Sequence, residues 1–588
     1  MARHPLFRLK SISTIVKDSA AGMADGHSGG LHRTLTARDL TFFGIAAILG
    51  AGSFSSLGGA VFHGGPGVVI LFVITAIACA FTAFCYSEFA SRIPVAGSAY
   101  TYAYVSFGEL FAWIIGWALI MEYSIGNIYV AYSWSDYFTS LLEKLNVHMP
   151  AYLCTSYMEA HNAVLQGSSN QDELNAWNNA PFIGSLRIIF DLPAFVINLL
   201  ITYLVFRGVK ESRNFSNVMV VLKMIVVALV ILVGGYLVFS NGLFFNWTPA
   251  NDEGVKSFMP NGFSGVMAAV SGVFFAYIGF DAVSVLAEES KNPQKDLPKG
   301  MIWSLVICTV VYILLALVLT GAVNYRNFDG VGDPLAFIFE KQNLNVGWMQ
   351  FFVAIAAVIA MTSVLLVFQM GQPRIWMSMS RDGLLPPVFQ KIHPKFKTPS
   401  FATLVTGLVV GIPLFFTDKT FVLDFTSIAT LFAFVLVCGG ILLIPEKDKV
   451  PGRFHIPYIN GKLIFPIIVL ASIGGAYYLS PTYFSDMLNF DFSTNPDYAA
   501  GNISFMDAAT PNISLIIFWI SAVVISVFSF LKNFSLIPLM GLITCLYLLT
   551  GMTKSNWAWF LMWLALGLII YFTYSRFNSK LNQVENAE

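Results

Sequence analysis

The chain has 588 residues, of which 56% are hydrophobic and 11% are charged, and its mean hydropathy is +0.69. Soluble domains carry about 25% charged residues, so this composition excludes a soluble protein and indicates a membrane protein with many spanning segments. The formal net charge is +0, so the chain lacks the excess of positive charge that is typical of nucleic-acid-binding proteins.

Apolar segments of about 20 residues, the length that crosses a bilayer as a helix, recur about fourteen times. The predicted spans are 39–62, 67–91, 109–141, 188–206, 215–239, 263–289, 301–323, 348–377, 401–416, 421–444, 462–480, 514–531, 534–551 and 557–575. If the N-terminus is cytoplasmic, 25 of the 33 lysines and arginines fall on the cytoplasmic side and 7 on the outer side. This asymmetry predicts that both termini are cytoplasmic.

Two of these spans contain a break near the expected middle of the bilayer. The first break lies in 44–59 (GIAAILGAGSFSSLGG) and the second in 274–289 (FFAYIGFDAVSVLAEE). Glycine costs about 1 kcal/mol of helix propensity relative to alanine, and a broken helix is tolerated in a membrane only where it is buried in protein or lines a cavity. Breaks in corresponding positions of two halves indicate a transporter's substrate site.

The first break lies in span one and the second in span six, which run in opposite directions, so two inverted halves are predicted. The expected division is a cytoplasmic tail, a first repeat with spans 1–5, a second repeat with spans 6–10, spans 11–14, and a second cytoplasmic tail. These regions are 1–37, 38–240, 262–445, 461–576 and 577–588.

Several stretches match one known family together. They are 35–54 (LTARDLTFFGIAAILGAGSF), 86–104 (YSEFASRIPVAGSAYTYAY), 112–123 (AWIIGWALIMEY), 274–299 (FFAYIGFDAVSVLAEESKNPQKDLPK), 371–386 (GQPRIWMSMSRDGLLP), 427–438 (SIATLFAFVLVC) and 537–550 (IPLMGLITCLYLLT). With these stretches the chain resembles the amino acid–polyamine–organocation (APC) superfamily, most closely its cationic amino acid transporter branch. The resemblance implies an all-α polytopic membrane protein with a LeuT-type 5+5 inverted repeat, discontinuous helices 1 and 6, and about 14 transmembrane helices. The first motif departs from the family pattern at Ala46, which replaces a glycine, and at Ser53, which replaces an isoleucine.

The two breaks supply the expected substrate contacts. Backbone N–H groups of 50–53 would lie at the start of a half-helix, where a dipole of about +0.5 charge favours a carboxylate, although the glycines could instead only permit close helix packing. Carbonyl groups of 275–278 would accept hydrogen bonds from an α-ammonium group. The predicted substrate-binding residues are Ile48, Gly50, Ala51, Gly52, Ser53, Phe275, Ala276, Tyr277, Ile278, Asp281 and Met361.

Three of these residues have an alternative role besides substrate contact. The resemblance implies that Phe275 closes over the substrate and that the bulk of Met361 limits substrate size, but both residue types more often only fill a core. Asp281 is expected to stabilise the start of the second half-helix rather than to contact the substrate directly.

Lys223 is about eight residues, or about 12 Å, from the cytoplasmic end of its span, close to the middle of a core about 30 Å thick. A lysine at that depth is costly and indicates a function. The resemblance implies proton coupling, with Lys223 linking the span-one carbonyls near Ile48 and Leu49 to Thr362 and Ser363. The alternatives are snorkelling to the interface or a static ion pair.

Glu122 lies about thirteen residues into span three and is also near mid-depth. It is a candidate partner for Lys223, a counter-charge to a cationic substrate, a proton site of its own, or a static hydrogen-bonding group.

Together these features predict a multi-pass secondary transporter in the cell membrane that moves α-amino acids, with protons as the coupling ion. The alternatives are an exchanger of cationic amino acids or polyamines, and an amino acid sensor that does not transport. No cofactor, metal or enzymatic activity is expected, since the sequence has no metal cluster, P-loop or nucleophile motif. The sequence leaves the substrate side chain and the oligomeric state open.

Overall fold

The computed structural model describes the chain in segments separated by short gaps. They are residues 5–10, 35–50, 52–93, 95, 97–166, 171–184, 186–208, 213–251, 254–396, 398–443, 454–493, 498, 501 and 503–585. Ala51, one of the predicted site residues, lies outside the described residues.

Helices form nearly all of the regular structure in these segments. The first half contains α1 (Ala37–Ile48), α2 (Leu57–Gly64), α3 (Val68–Arg92), α4 (Ser98–Ser106), α5 (Glu109–Lys144), α6 (Tyr157–Gln166), α7 (Gln171–Asn179), α8 (Leu192–Arg207) and α9 (Arg213–Ser240). A small antiparallel hairpin of β1 (Phe182–Ile183) and β2 (Leu186–Arg187) lies between α7 and α8.

The second half continues the helical pattern. It contains α10 (Gly262–Ala268), α11 (Val270–Tyr277), α12 (Pro293–Ala322), α13 (Pro334–Phe337), α14 (Gly347–Arg381), α15 (Ser400–Gly411), α16 (Lys419–Leu443), α17 (Gly461–Leu479), α18 (Tyr483–Leu488), α19 (Phe505–Lys532), α20 (Leu536–Leu549), α21 (Lys554–Ile570), α22 (Arg576–Asn578) and α23 (Lys580–Glu585).

Within the described residues, ten helical segments are long and apolar enough to cross a membrane, and three shorter apolar helices accompany them. The first of the ten, 37–92, contains two of the predicted spans. The polytopic all-α class is therefore confirmed, while the number fourteen and the 5+5 repeat stay predictions.

The first predicted break is present as an interruption between α1 and α2. A capping box of Thr36 and Asp39 starts α1, which ends at Ile48, and the π-helical turn Gly52–Ser56 leads into α2. The helix ends early because the glycine-rich sequence that follows gives little helix propensity.

The second break follows α11. That helix ends at Tyr277, Ile278 is extended, and Gly279 has φ +118° before the 3₁₀ helix Asp281–Glu289 begins. A residue with a side chain rarely adopts this φ, so Gly279 is what allows the chain to turn here.

Long helices surround the two broken ones. Helix α5 packs against α14 and α16, and α12 packs against α1, α3 and α9. In the most apolar stretch of α5, 89% of the residues are buried, compared with 11% in α17 and 17% in α19. The core therefore lies around the breaks, and α17 and α19 lie at the periphery, where lipid would cover them.

The two described ends of the chain meet at one end of the helices. Lys10 Nζ forms an ion pair with Asp382 Oδ1 at 2.8 Å, and Lys580 N–H donates to the Asp382 carbonyl at 3.0 Å. Arg8 donates to Asn582 Oδ1 at 2.9 Å. These contacts place both ends on the same side, while the cytoplasmic assignment of that side stays a prediction.

Candidate substrate and coupling site

The two breaks touch each other. A Cβ atom added to Gly52 would overlap the Cα atom of Ala276, and one added to Gly279 would lie 2.9 Å from the Cβ atom of Ala47. Real Cβ atoms do not approach that closely, so the glycines allow the two broken backbones to pack in direct contact. The predicted residues Gly52 and Ala276 are thereby brought together.

The amide groups of the first break differ from the expectation. Gly50 N–H donates to the Ile48 carbonyl at 2.9 Å, and Ser53 N–H and Phe54 N–H donate to the Gly50 carbonyl at 3.1 Å. Ser53 Oγ donates to the same carbonyl at 3.0 Å. The prediction of free N–H groups is thus wrong for Gly50 and Ser53, because both amides find carbonyl acceptors close by in the same interruption.

Tyr312 of α12 joins the two broken helices. Its hydroxyl group lies 2.7 Å from the carbonyl oxygen of Ile48 and 2.7 Å from that of Ala276, and donates between them. Both carbonyls stand at helix ends, where no amide of the same helix remains to pair with them. Sequence analysis missed Tyr312, although it is a polar residue near the middle of an apolar span, like Lys223.

Other hydroxyl groups satisfy carbonyls of the same region. Tyr137 donates to the Phe54 carbonyl at 2.5 Å, and Ser56 donates to the Gly52 and Gly272 carbonyls at 2.9 and 3.0 Å. Buried carbonyls that lack a partner are costly, so these hydroxyls stabilise the interrupted backbone.

Lys223 is completely buried and lies at the end of α1. Its Nζ donates to the carbonyls of Ala46 at 3.0 Å and Leu49 at 3.2 Å. The carbonyl end of a helix carries about −0.5 charge, so an ammonium group is favoured there. The expected contact with Leu49 forms, and Ala46 takes the place expected for Ile48, whose carbonyl binds Tyr312.

The expected link from Lys223 to span eight does not form among the hydrogen bonds of the described residues. Thr362 Oγ1 donates to the Val358 carbonyl at 2.7 Å and accepts from Trp134 Nε1 at 2.9 Å. Ser363 Oγ donates to the Ala360 carbonyl at 2.8 Å. Both hydroxyls bind carbonyls of their own helix, which is the usual behaviour of such residues inside helices.

The predicted aromatic residues of span six point in different directions. Phe275 is 5% exposed and meets the ring of Tyr129 edge-on at 4.6 Å. Tyr277 instead donates to the Phe72 carbonyl at 3.1 Å, so its hydroxyl group holds α11 to α3. Ile278 and Met361 are buried.

Glu122 and Asp281 lie close together in the core. Both are almost completely buried, and Glu122 faces Asp281 and Thr430. Asp281 is the first residue of the 3₁₀ helix, where no side-chain cap is formed, and its Oδ1 has no hydrogen-bond partner among the described residues, so the expected stabilisation of this helix start stays a prediction. Glu122 thus lies within electrostatic range of Asp281, and within the described part of the chain no ion pair or hydrogen bond joins it to Lys223.

An ion pair and a ring contact lie between these breaks and the end of the molecule opposite the chain termini. Lys419 at the start of α16 pairs with Asp136 of α5, and its ammonium group lies 5.7 Å from the centre of the Tyr129 ring. Tyr129 in turn contacts Phe275. A continuous row of side chains thus connects the second break to α5 and α16.

Helix α6 is tied to the same place through Glu159. Its carboxylate accepts hydrogen bonds from Lys419 N–H at 3.0 Å and Ser156 N–H at 3.2 Å. Sequence analysis assigned no role to Glu159, Asp136 or Lys419, because α6, which carries Glu159, is distant in sequence from α16.

Comparisons with known proteins agree with this architecture. A model of the amino acid permease family matches residues 35–505. The branched-chain amino acid permease BcaP of Bacillus subtilis (strain 168) is 35% identical over 579 residues, which cover 98% of this chain and 99% of that protein. The methylthioribose transporter of the same organism is 36% identical, with coverage of 98% and 99%.

A plant relative is also similar over a large part of the chain. The cationic amino acid transporter 2, vacuolar, of Arabidopsis thaliana is 35% identical over 443 residues, which cover 74% of this chain and 64% of that protein. The family match and these relatives extend over most of the sequence. The chain therefore belongs to the amino acid permease family of the APC superfamily, near the cationic amino acid transporter branch.

Proposed function

We propose that this permease is a secondary active transporter of α-amino acids that couples uptake to protons by alternating access. The observation that carries the proposal is the position of Lys223, whose ammonium group is buried at the carbonyl end of α1 beside the contact between the two broken helices. The relatives named as amino acid permease and cationic amino acid transporter support the substrate class.

In this mechanism the substrate binds at the two breaks. The substrate carboxylate accepts hydrogen bonds from amides of the first break, and the α-ammonium group donates to carbonyls of Phe275 to Ile278. Phe275 closes over the substrate, and its contact with Tyr129 connects that closure to the Asp136–Lys419 ion pair.

The proton acts on Lys223. Hydrogen bonds from a charged donor are roughly twice as strong as neutral ones, so the protonated side chain holds Ala46 and Leu49 more tightly than the neutral amine does. Loss of the proton weakens these hydrogen bonds and allows α1 to tilt. The protonation state of Lys223 thereby controls from which side of the membrane the substrate site is accessible. The Glu122–Asp281 pair is a second place where a proton can reside.

The expected frame for this movement is the 5+5 inverted repeat of residues 38–240 and 262–445, with four further spans in 461–576 and both tails in the cytoplasm. Its support is that the interrupted helices fall in the first and sixth predicted spans.

A second candidate is an exchanger of cationic amino acids or polyamines. It is favoured by two buried carboxyl oxygens, Glu122 Oε2 and Asp281 Oδ1, which have no hydrogen-bond partner among the described residues. A cationic side chain that reached them from the second break would be neutralised there.

The test is uptake of radiolabelled alanine, leucine, arginine and methylthioribose into proteoliposomes, with and without an inward proton gradient. We expect an amino acid to accumulate in a gradient-dependent manner with the wild-type protein. Lys223→Met should abolish this dependence yet retain counterflow, whereas Lys391→Met, which changes an exposed lysine, should behave like wild type. Counterflow without any gradient effect in the wild type would favour the exchanger and make Lys223 a structural residue.

A further inference from the structure

A cleft lies at the start of α12, on the side of the molecule where the chain ends meet. Lys291, just before this helix, donates its backbone N–H to the Leu35 carbonyl at 2.9 Å, which places this side next to the start of α1. The cleft has a volume of about 330 Å³ and is lined by Lys295, Lys299, Trp303 and Phe454, among others.

One face of α12 forms the first wall. Lys295, Lys299 and Trp303 are spaced four residues apart, so their side chains lie above one another on the same face. Both lysines are exposed, and Trp303 is 58% exposed.

The same face continues as an apolar strip. Val306, Val310 and Leu314 are 46%, 54% and 40% exposed. At 1.5 Å per residue, the strip from Trp303 to Leu314 is about 16 Å long, close to half of a hydrocarbon core about 30 Å thick. The face thus presents cationic groups, then an aromatic ring, then one leaflet's depth of apolar side chains.

The opposite wall is fixed by α3. Phe454 donates its N–H to Ser91 Oγ at 2.9 Å, and its ring stacks on Phe84 at 6.4 Å. The next contact, from Ile456 N–H to Glu88 Oε2 at 3.2 Å, holds the segment against the same helix. The cleft is therefore a built feature of the fold.

The charges beside the cleft leave it positive. The Glu88 carboxylate forms an ion pair with Arg92 at 2.5 Å. Asp296 keeps its negative charge while it accepts a hydrogen bond from Asn292 N–H at 3.3 Å, so in the described part of the chain two lysines are set against one carboxylate without an ion pair. No ion pair of Lys295 or Lys299 is found among the described residues, and the amide end of α12 adds partial positive charge to theirs.

We propose that this cleft binds the headgroup of an anionic phospholipid, with the acyl chains along Val306, Val310 and Leu314. Basic pockets at the cytoplasmic end of transmembrane helices recognise such headgroups, and tryptophan is favoured at the level where headgroups meet hydrocarbon. The apolar strip continuous with the lysines favours a lipid over a soluble anion, because a soluble anion has no acyl chains to pack against these side chains.

The test is native mass spectrometry of the full chain in detergent, titrated with phosphatidylglycerol or with phosphatidylcholine of the same acyl chains. Each lysine contributes about five-fold to the affinity for an anionic lipid, so Lys295→Gln with Lys299→Gln should weaken phosphatidylglycerol binding about 25-fold. Phosphatidylcholine binding should not change. The matched control is Lys391→Gln with Lys395→Gln, which removes two exposed lysines at the same spacing.

The charge-preserving variant Lys295→Arg with Lys299→Arg should retain the preference for phosphatidylglycerol over phosphatidylcholine. This variant distinguishes an effect of charge from an effect of misfolding. Equal loss in the control pair, equal binding of both lipids by the wild type, or loss in the arginine variant would each overturn the site. Displacement of phosphatidylglycerol by millimolar glycerol phosphate would show that the cleft recognises a soluble phosphate and not a lipid.

Discussion

Lys223 and Tyr312 bind carbonyls of the same helix end from two different helices. Lys223 donates hydrogen bonds to the carbonyls of Ala46 and Leu49. Tyr312 donates to the carbonyl of Ile48, which lies between them in sequence. Only Tyr312 also reaches the second broken helix, through the Ala276 carbonyl. The end of α1 is thus held by a lysine ammonium or amine group from α9 and a tyrosine hydroxyl group from α12.

Removal of the tyrosine hydroxyl should loosen the contact between the breaks. Tyr312→Phe leaves the Ala276 carbonyl without this donor, while the Ile48 carbonyl keeps the Gly50 N–H. An unsatisfied buried group costs about 1–3 kcal/mol. We expect a lower melting temperature in detergent and at least a ten-fold loss of uptake. Tyr236→Phe, at a position 71% exposed on α9, is the matched control and should change neither quantity. Wild-type uptake by Tyr312→Phe would contradict the assigned role.

The contact between the breaks can be tested with a single methyl group. Gly52→Ala places a Cβ atom against the backbone of Ala276, and overpacking of this kind costs about 1–3 kcal/mol. We expect uptake to fall below detection in proteoliposomes. Gly59→Ala in α2, where nothing lies within 4 Å of the added atom, should retain wild-type uptake. Equal activity of the two variants would show that the breaks do not need to touch.

The Asp136–Lys419 ion pair is expected to hold the end of the molecule opposite the chain termini closed. Asp136→Lys and Lys419→Asp should each reduce uptake, because each places two like charges side by side. The exchanged double variant should recover most of the activity, with a coupling energy of about 0.5–3 kcal/mol. A double variant no better than the worse single one would mean that the pair has no role in closure.

The stability of the folded protein should fall as the pH rises through the range in which the Glu159 carboxyl group titrates. Partial burial, reinforced by the nearby Asp136 charge, raises the pKa of Glu159 from 4.5 to about 7. The folded state then binds this proton more tightly than the unfolded state, so stability is lost as the pH rises from about 4.5 through 7 and levels off about one pH unit above the folded-state pKa.

Glu159→Gln removes that titration. We expect the melting temperature of the wild type to decline more steeply than that of the variant from pH 5 to pH 7, and the two curves to run parallel above about pH 8. Thermal unfolding by intrinsic fluorescence in detergent measures both. Parallel curves across the whole range would show that Glu159 does not titrate in this window.

Residue patterns were sufficient for the features that depend on local sequence. The breaks follow from Gly50, Gly52 and Gly279, and the depth of Lys223 in an apolar span already indicated a buried polar group, whose function stays a prediction. The same depth criterion would have selected Tyr312, since a hydroxyl group in the middle of a span also needs a partner.

Contacts between distant segments could not be derived in the same way. The position of Glu122 beside Asp281 depends on how α5 packs against the second break, and hydropathy carries no information on that rotation. Likewise Thr362 faces Trp134 because of the register between α5 and α14, which the sequence of neither helix specifies alone.

The docked chain ends have a consequence for biosynthesis. Arg8 and its partner Asn582 are separated by 574 residues, so at about 5–20 residues per second the N-terminal segment waits roughly half a minute to two minutes for its docking partner to be made. The ion pair of Lys10 with Asp382 also has to wait for most of the chain. Closure of this end is therefore among the last events of assembly, and a truncated chain would leave this end of the molecule without it.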